Sequence, residues 1–168
     1  KSGFVDHGHH AAFRIASFRR CGGYDESFTH NEDAELDCRL RRLGGRIYLD
    51  AGIRVGYRPR ASWCALARQY FHYGRGRART VRRHPGSLRA RQLAVPLHFA
   101  ALLGALALAS QWPATLAYPL LYLATLLGAS AHVALSRRSA CGVLAGPAVG
   151  VMHLSWAAGF LAGMAGRR

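Results

Sequence analysis

Two long stretches without a charged side chain constrain this chain more than any other feature of its sequence. Residues 92–136 contain no Asp, Glu, Lys or Arg, and neither do residues 139–166. Each stretch is longer than the roughly 20 apolar residues that an α-helix needs to cross a bilayer, so a wholly soluble fold is excluded. The sequence therefore predicts an all-α transmembrane region of two to three helices, at about 93–110, 113–135 and 141–165.

The charges that remain are distributed unevenly. The net charge is +15, but all eight acidic residues lie in the first 50 positions, where basic residues balance them. Arginines crowd the segment from Arg54 to Arg91, directly before the first apolar stretch. By the positive-inside rule, this segment and Arg137–Arg138 should both face the cytoplasm, which two antiparallel spans satisfy. We therefore expect a multi-pass membrane protein with its polar head in the cytoplasm. The 22 arginines to one lysine, with abundant Ala and Gly, are typical of a GC-rich bacterial genome, so the expected location is a bacterial inner membrane.

The path of the third apolar run stays open at this stage. A straight crossing would place Arg167–Arg168 outside, against the positive-inside rule. The run also contains Pro147 and several glycines, so a broken or re-entrant segment is an alternative, as is a span whose partner helices lie outside this chain.

The polar head, residues 1–61, combines extended and helical patterns. Residues 3–20 predict a strand, and a glycine-rich turn leads to a helix from about Glu32 to Leu43 with leucines on its inner face. Thr29 with Glu32 fits a capping box, and Asn31 is an equally good N-cap. Outward ion pairs are expected between residues four apart, namely Glu35 with Arg39 and Asp37 with Arg41. Two short strands should follow, at 46–49 and 53–57.

The next segment, residues 62–92, predicts an amphipathic helix from about Ser62 to Tyr73 and a basic juxtamembrane stretch. The apolar face of this helix is aromatic, and arginines flank it. Such a helix suits the headgroup layer of a membrane with anionic lipids. The alternative is that Trp63, Leu66 and Tyr70 pack on a protein core.

Two groups of residues in the head could carry chemistry. On a helix, Asp33 and Asp37 share one face near the positive end of the helix dipole, which favours the ionised carboxylate that a general base requires. Acidic first turns are also ordinary helix caps. The second group is His7, His9 and His10, for which a zinc site, a pocket lining and plain packing are all open, although His9 and His10 would point to opposite faces of a strand.

The stretch GGYDESFTHNEDAELDCRLRRLGGRIYLD resembles the second half of the catalytic domain of family 2 glycosyltransferases, in the membrane-anchored succinoglycan or exopolysaccharide (ExoA-like) branch. The resemblance continues through the segments VGYRPR and RQYFHYGRGR, and extends to VDHGHH upstream and HLSW in the tail. It implies an α/β fold of the GT-A type, of which this chain would hold the C-terminal half. It also implies an inverting transfer from a nucleotide-sugar donor to a lipid-linked or polysaccharide acceptor in exopolysaccharide biosynthesis.

The resemblance also implies roles for particular residues. Asp33 corresponds to the catalytic base, and Glu32 would order the site beside it. Gln69, His72 and Tyr73 fall on the family's Gln-x-x-Arg-Trp signature, with His in place of Arg and Tyr in place of Trp. The expected substrate-binding residues are Gln69, His72, Tyr73, His9, His10 and Asp25.

The family's metal-binding Asp-x-Asp is absent from this sequence. The resemblance implies a divalent metal, Mg²⁺ or Mn²⁺, whose ligands would lie outside this chain, and no metal ligand is predicted within it. We therefore expect a fragment that is inactive without the donor-binding half.

Two other kinds of function compete with this interpretation. A nucleic-acid binder would explain arginines beside aromatic residues, but arginines next to a membrane span are expected for topology alone, so no nucleic-acid partner is predicted. The second alternative is a small non-catalytic membrane scaffold or assembly partner.

Overall fold

The computed structural model describes residues 1–8 and 12–166 and divides the chain into two compact units. The polar unit consists of residues 1–59 and 76–88. The helical unit consists of residues 60–75 and the chain from residue 89 onward.

The polar unit is built around a small sheet and a buried helix. Its elements are β1 (Gly3–Val5), α1 (Ile15–Arg20), α2 (Glu32–Arg42), β2 (Ile47–Leu49) and the last part of α3 (Trp63–Arg83). Strands β1 and β2 are antiparallel, with Phe4 opposite Tyr48 and their ring centroids 5.3 Å apart. Cross-strand aromatic pairs of this kind stabilise a short ladder.

Helix α2 agrees closely with its predicted bounds. Leu36 and Leu40 are buried, whereas Leu43, expected on the same inner face, is exposed. The glycine after the helix has a positive φ of 81°, and Gly45 N–H donates to the Leu40 carbonyl at 2.9 Å, which is the usual glycine-dependent helix end. Asn31 is the N-cap residue, as one of the two predicted alternatives has it, but it has a left-handed φ of 67° and makes no side-chain cap. The other alternative, a capping box with Thr29 at the N-cap, is wrong.

Three predictions for residues 1–92 are wrong in type or length. Within the described parts of residues 3–20, namely 3–8 and 12–20, only Gly3–Val5 is a strand, and Ile15–Arg20 is helical, with the Phe18 ring 5.6 Å from the Tyr24 ring. Residues 53–57 are exposed and irregular, with a glycine and a following proline that weaken strand pairing. The helix predicted to end near Tyr73 continues to Arg83.

The extension of α3 depends on a close approach between two chain segments. A Cβ at Gly76 would lie 2.7 Å from the His30 carbonyl oxygen, so this glycine permits packing and does not end the helix. One turn later, Asn31 donates from Nδ2 to the Thr80 hydroxyl at 2.8 Å, and Thr80 donates to the Gly76 carbonyl at 3.2 Å. These contacts fix the end of α3 against the start of α2.

The helical unit contains three helices long and apolar enough to cross a membrane. They are α4 (Ala90–Leu108), α5 (Ala117–Ser136) and α6 (Ala145–Ala165), with 3-10 turns at Pro113–Leu116 and Ala140–Leu144 before the last two. The prediction of three apolar helices is confirmed. Helix α6 is continuous from Ala145 to Ala165, because Pro147 lies in its first turn, where a missing N–H costs little.

Small residues hold α5 and α6 close together. A Cβ at Gly146 would overlap the Leu126 carbonyl oxygen. Ser130 donates its hydroxyl to the Val143 carbonyl at 2.8 Å and accepts the Gly146 N–H at 2.9 Å. Glycine and serine at such positions let helix backbones approach within an apolar environment.

The first part of α3 packs on α6 in the same way. A Cβ at Gly159 would overlap the Phe71 carbonyl oxygen, and one at Gly74 would overlap the Trp156 carbonyl oxygen. Of the two alternatives for this aromatic segment, packing on protein accounts for Phe71, whereas Trp63 is exposed.

Candidate functional site

The start of α2 presents two carboxylates one helical turn apart. The Asp33 side chain is 29% exposed and its Oδ1 accepts the Ala34 N–H at 2.7 Å. The Asp37 side chain is only 3% exposed. The spacing of four residues places both carboxylates on one face of α2. The outer carboxylate, Asp33, is open to a substrate, whereas the inner one, Asp37, is enclosed by the protein.

The inner carboxylate is held by the segment that follows β1. His7 Nδ1 lies 2.6 Å from Asp37 Oδ2, and the same oxygen accepts the Gly8 N–H at 3.1 Å. The other ring nitrogen, His7 Nε2, lies 3.8 Å from Asp33 Oδ2. The hydrogen bond to Asp37 is the main reason that the pKa of His7 is raised above its ordinary value of 6.5. The predicted outward pair between Asp37 and Arg41 is therefore wrong.

Arg41 pairs instead with Asp6, at 2.9 Å. The buried Asp37 is therefore satisfied by the imidazole of His7 and by a backbone N–H, as a buried polar group requires. The exposed arginine takes a carboxylate that is itself more than half exposed, at 53%.

The arrangement of these donors does not fit a metal ion. The two carboxylates flank opposite nitrogens of one imidazole ring, so the three groups do not converge on a common point. Within residues 1–8 and 12–166, no group of three or more His, Cys, Asp or Glu side chains is placed to hold a metal.

A second cluster of charged side chains surrounds Glu35. Glu35 is fully buried, and both its oxygens accept from the Arg39 guanidinium at 2.7–2.9 Å. His84 Nε2 lies 3.0 Å from Glu35 Oε1. Burial alone would raise the pKa of Glu35, but the hydrogen bonds from Arg39 and His84 hold it below 4.5. The pair predicted between Glu35 and Arg39 is present, but it points inward.

Asp25 stabilises a turn. Among the described residues, the structure shows no contact between Asp25 and Asp33. Asp25 Oδ1 accepts the Ser27 hydroxyl at 2.5 Å and the Ser27 N–H at 2.9 Å, and Arg83 pairs with its Oδ2. The bonds from Ser27, with help from Arg83, lower the pKa of Asp25 to about 2. Asp25 thus has a structural explanation.

Several arginines of the basic segment are used by the polar unit. Arg79 donates to the carbonyl and hydroxyl of Ser27 and stacks on the Phe28 ring, with its guanidinium carbon 4.4 Å from the centroid. Arg77 donates to the Ser87 carbonyl. Arg77 and Arg79 thus have partners within the polar unit, and the predicted headgroup location of the basic segment stays a prediction.

The residues that match the glutamine-containing signature belong to the helical unit. Gln69 donates from Nε2 to the Tyr73 hydroxyl at 2.7 Å and accepts from Arg60 Nε at 3.2 Å. The His72 ring is half-buried, with its centroid 6.0 Å from that of Phe71. The i, i+4 spacing on a helix brings Gln69 and Tyr73 together.

The remaining predicted site residues are less informative. Glu32 is half-buried at the first position of α2. His9 and His10 lie outside the described residues. The roles predicted for all these residues remain predictions.

Sequence reasoning missed the main partner of the acidic helix. The local pattern groups His7 with its histidine neighbours and gives no signal for His84, because these residues contact α2 across 30 and 49 residues of sequence.

Comparison with known proteins supports the resemblance. The chain is 45% identical over 161 residues to the succinoglycan biosynthesis protein ExoA of Rhizobium meliloti (strain 1021). The match covers 94% of this chain and 47% of that protein, so the chain spans about half the length of the relative. The predicted likeness to the ExoA-like branch is confirmed. No protein-family model matches the sequence. No solved structure matches it.

Proposed function

Since the chain is homologous over nearly all its length to a protein of succinoglycan biosynthesis, we propose that it is the acceptor-side and membrane part of a family 2 glycosyltransferase. The whole enzyme would transfer a sugar from a nucleotide-sugar donor to a lipid-linked or polysaccharide acceptor at the cytoplasmic face of the bacterial inner membrane. Its polar unit would complete an α/β domain of the GT-A type, and its three apolar helices would anchor it.

The main support for this proposal is the position of the Asp33 carboxylate, in a chain that is homologous to a protein of succinoglycan biosynthesis. This carboxylate lies at the positive end of a helix dipole, is partly exposed, and is backed by His7 and the buried Asp37. A general base needs this combination of access and fixed position.

In the proposed step, the acceptor hydroxyl attacks the anomeric carbon of the donor sugar. The new bond joins the acceptor oxygen to that carbon, the bond from the carbon to the diphosphate oxygen breaks, and Asp33 takes the hydroxyl proton. Attack opposite the leaving group inverts the anomeric centre. Glu32 would order the site, and Gln69, His72 and Tyr73 would contact the substrate, Tyr73 by stacking on a sugar ring.

A divalent metal, Mg²⁺ or Mn²⁺, belongs to the proposal only for the whole enzyme. It would neutralise charge on the leaving diphosphate. The described residues gather no site for it, and the proton transfer to Asp33 does not involve it.

The test is replacement of Asp33 by Asn in the whole protein. Asparagine still accepts the Ala34 N–H but cannot take a proton, so we expect transfer of radiolabel from a panel of nucleotide sugars to fall by about 10²-fold or more. The control is Asp50→Asn, because Asn preserves the 2.8 Å bond from the Gly52 N–H to an exposed side chain.

The outcomes distinguish the competing functions. Full turnover by the Asp33 variant would remove this residue from the proposed role. Absence of sugar transfer by the unaltered whole protein with every donor in the panel would favour the non-catalytic membrane scaffold.

A further inference from the structure

The ring of His7 lies between two carboxylates that play different parts. On one side, Nδ1 is 2.6 Å from Oδ2 of the buried Asp37. On the other side, Nε2 is 3.8 Å from Oδ2 of the partly exposed Asp33. The three groups form a line from the interior of the polar unit to its surface.

The inner end of this line is fixed. Asp37 Oδ2 accepts from the ring and from the Gly8 N–H at 3.1 Å, so two consecutive residues of one loop are tied to the same oxygen. A ring nitrogen that donates to a buried carboxylate sets the orientation of the imidazole and leaves the other nitrogen facing outward. The outward nitrogen here faces Asp33.

We propose that His7 is a positioning residue for the base: its ring, held by Asp37, keeps the Asp33 carboxylate in place to accept the acceptor proton. This inference rests on the proposed function, because it assigns Asp33 the same role.

The charges that face His7 support the protonated ring. Asp33 and Asp37 approach it from α2, and both favour the positive charge, whereas Arg77 from α3 opposes it. The hydrogen bond to Asp37 outweighs burial and the arginine, so the pKa of His7 is raised above 6.5. The ring is therefore positive across the mildly acidic range.

The sign of the effect on catalysis follows from this charge. Below the raised pKa of His7 the ring is positive and attracts the Asp33 carboxylate, which strengthens its positioning. Above that pKa the ring is neutral and this attraction is lost. Loss of His7 should therefore cost activity mainly at acidic pH.

The experiment measures kcat/KM against pH from about 4.5 to 8.5 for the whole protein with His7→Gln. The glutamine amide can donate to Asp37 but carries no charge, so it does not attract the Asp33 carboxylate at any pH. We expect kcat/KM to fall by about tenfold or more at the acidic end of the range and by less than tenfold at the alkaline end. The control is His30→Gln, whose ring contacts Thr29 at 3.2 Å.

Two results would overturn the inference: a kcat/KM at the acidic end equal to that of the unaltered protein, or a uniform loss across the whole range, which indicates a purely structural role. If His7→Gln fails to fold, His7→Asn supplies the same readout with a shorter amide. Activity of Asp33→Asn reports separately on the proposed function, so an inactive Asp33 variant with an unchanged His7 profile would refute only the role of His7.

Discussion

At the scale of single residues, Glu35 is the clearest case in which the sequence pattern predicts the contact correctly and its burial incorrectly. The four-residue spacing to Arg39 predicts an exposed ion pair, and the pair forms. It is buried because Arg39 also donates to the carbonyls of Cys21 and Gly23, and His84 contacts the same carboxylate. Helical spacing reports which side chains can meet, but burial depends on partners distant in sequence.

We expect Glu35→Gln to destabilise the polar unit by about 1.5 to 3 kcal/mol, because the charge-assisted hydrogen bonds from Arg39 and His84 to a buried carboxylate are lost. The glutamine oxygen can still accept one hydrogen bond, but the cation of Arg39, whose side chain is 22% exposed, loses its anionic partner. The measurement is chemical unfolding of the whole protein in detergent, followed by intrinsic fluorescence. Glu26→Gln, at an exposed position, is the control and should change the unfolding free energy by less than about 0.5 kcal/mol.

Acid should destabilise the polar unit through the same carboxylates. The pKa of Glu35 is held below 4.5 and that of Asp25 is about 2 in the folded protein. A group with a lowered folded pKa contributes stability above its unfolded pKa and loses it as pH falls through the folded value. Stability should therefore fall progressively from about pH 4.5 downward, as measured by circular dichroism during acid titration. A flat titration between pH 5 and pH 2 would contradict this prediction.

At the scale of elements, the apolar helices were predictable and the strands were not. A helix that can cross a membrane requires a long run without charge, and this requirement is local to the sequence. The short strands β1 and β2 depend on each other across more than 40 residues, with Val5 paired to Ile47. Local composition therefore predicted too much strand in residues 3–20 and 53–57.

Glycine caused the other errors at this scale. The sequence pattern ends α3 near Gly74, as glycines often end helices, but Gly74 and Gly76 lie where another segment comes too close for a side chain. Whether a glycine ends a helix or admits a neighbour is decided by the neighbour, which the local pattern does not contain.

The contact between α3 and α6 gives a direct prediction. Gly159→Ala would place a Cβ against the Phe71 carbonyl, so the two helices must separate, and we expect a lower unfolding temperature for the protein in detergent. The matched control is Gly128→Ala in α5, where a Cβ meets nothing within 4 Å. There alanine should be neutral or stabilise by up to about 1 kcal/mol, since it favours the helix. Equal unfolding temperatures for the two variants would refute the close packing.

At the scale of the whole molecule, charge divides the chain more reliably than any motif. The first 50 residues carry equal numbers of acidic and basic side chains, and several of the acids have cationic partners, as Asp25 has in Arg83 from α3. The uncharged stretches form the long helices of the other unit. The resemblance predicted Asp33, but the line from Asp37 through His7 could not be predicted, because it requires the register of β1 against β2.

The arrangement of α4 and α5 across a membrane can be tested with single cysteines. The proposed topology places the arginines before α4 and the pair after α5 on the cytoplasmic side, so the short connection between these helices must lie outside. In a variant without the native cysteines, Gln111→Cys should react with an impermeant thiol reagent added to intact cells, because Gln111 is exposed between the two helices. Ser139→Cys, also exposed but next to Arg138, should react only after the cells are opened. Reaction of both cysteines from the same side would mean that α4 and α5 do not form a pair of opposite crossings, and the anchoring role proposed for these helices would have to be abandoned.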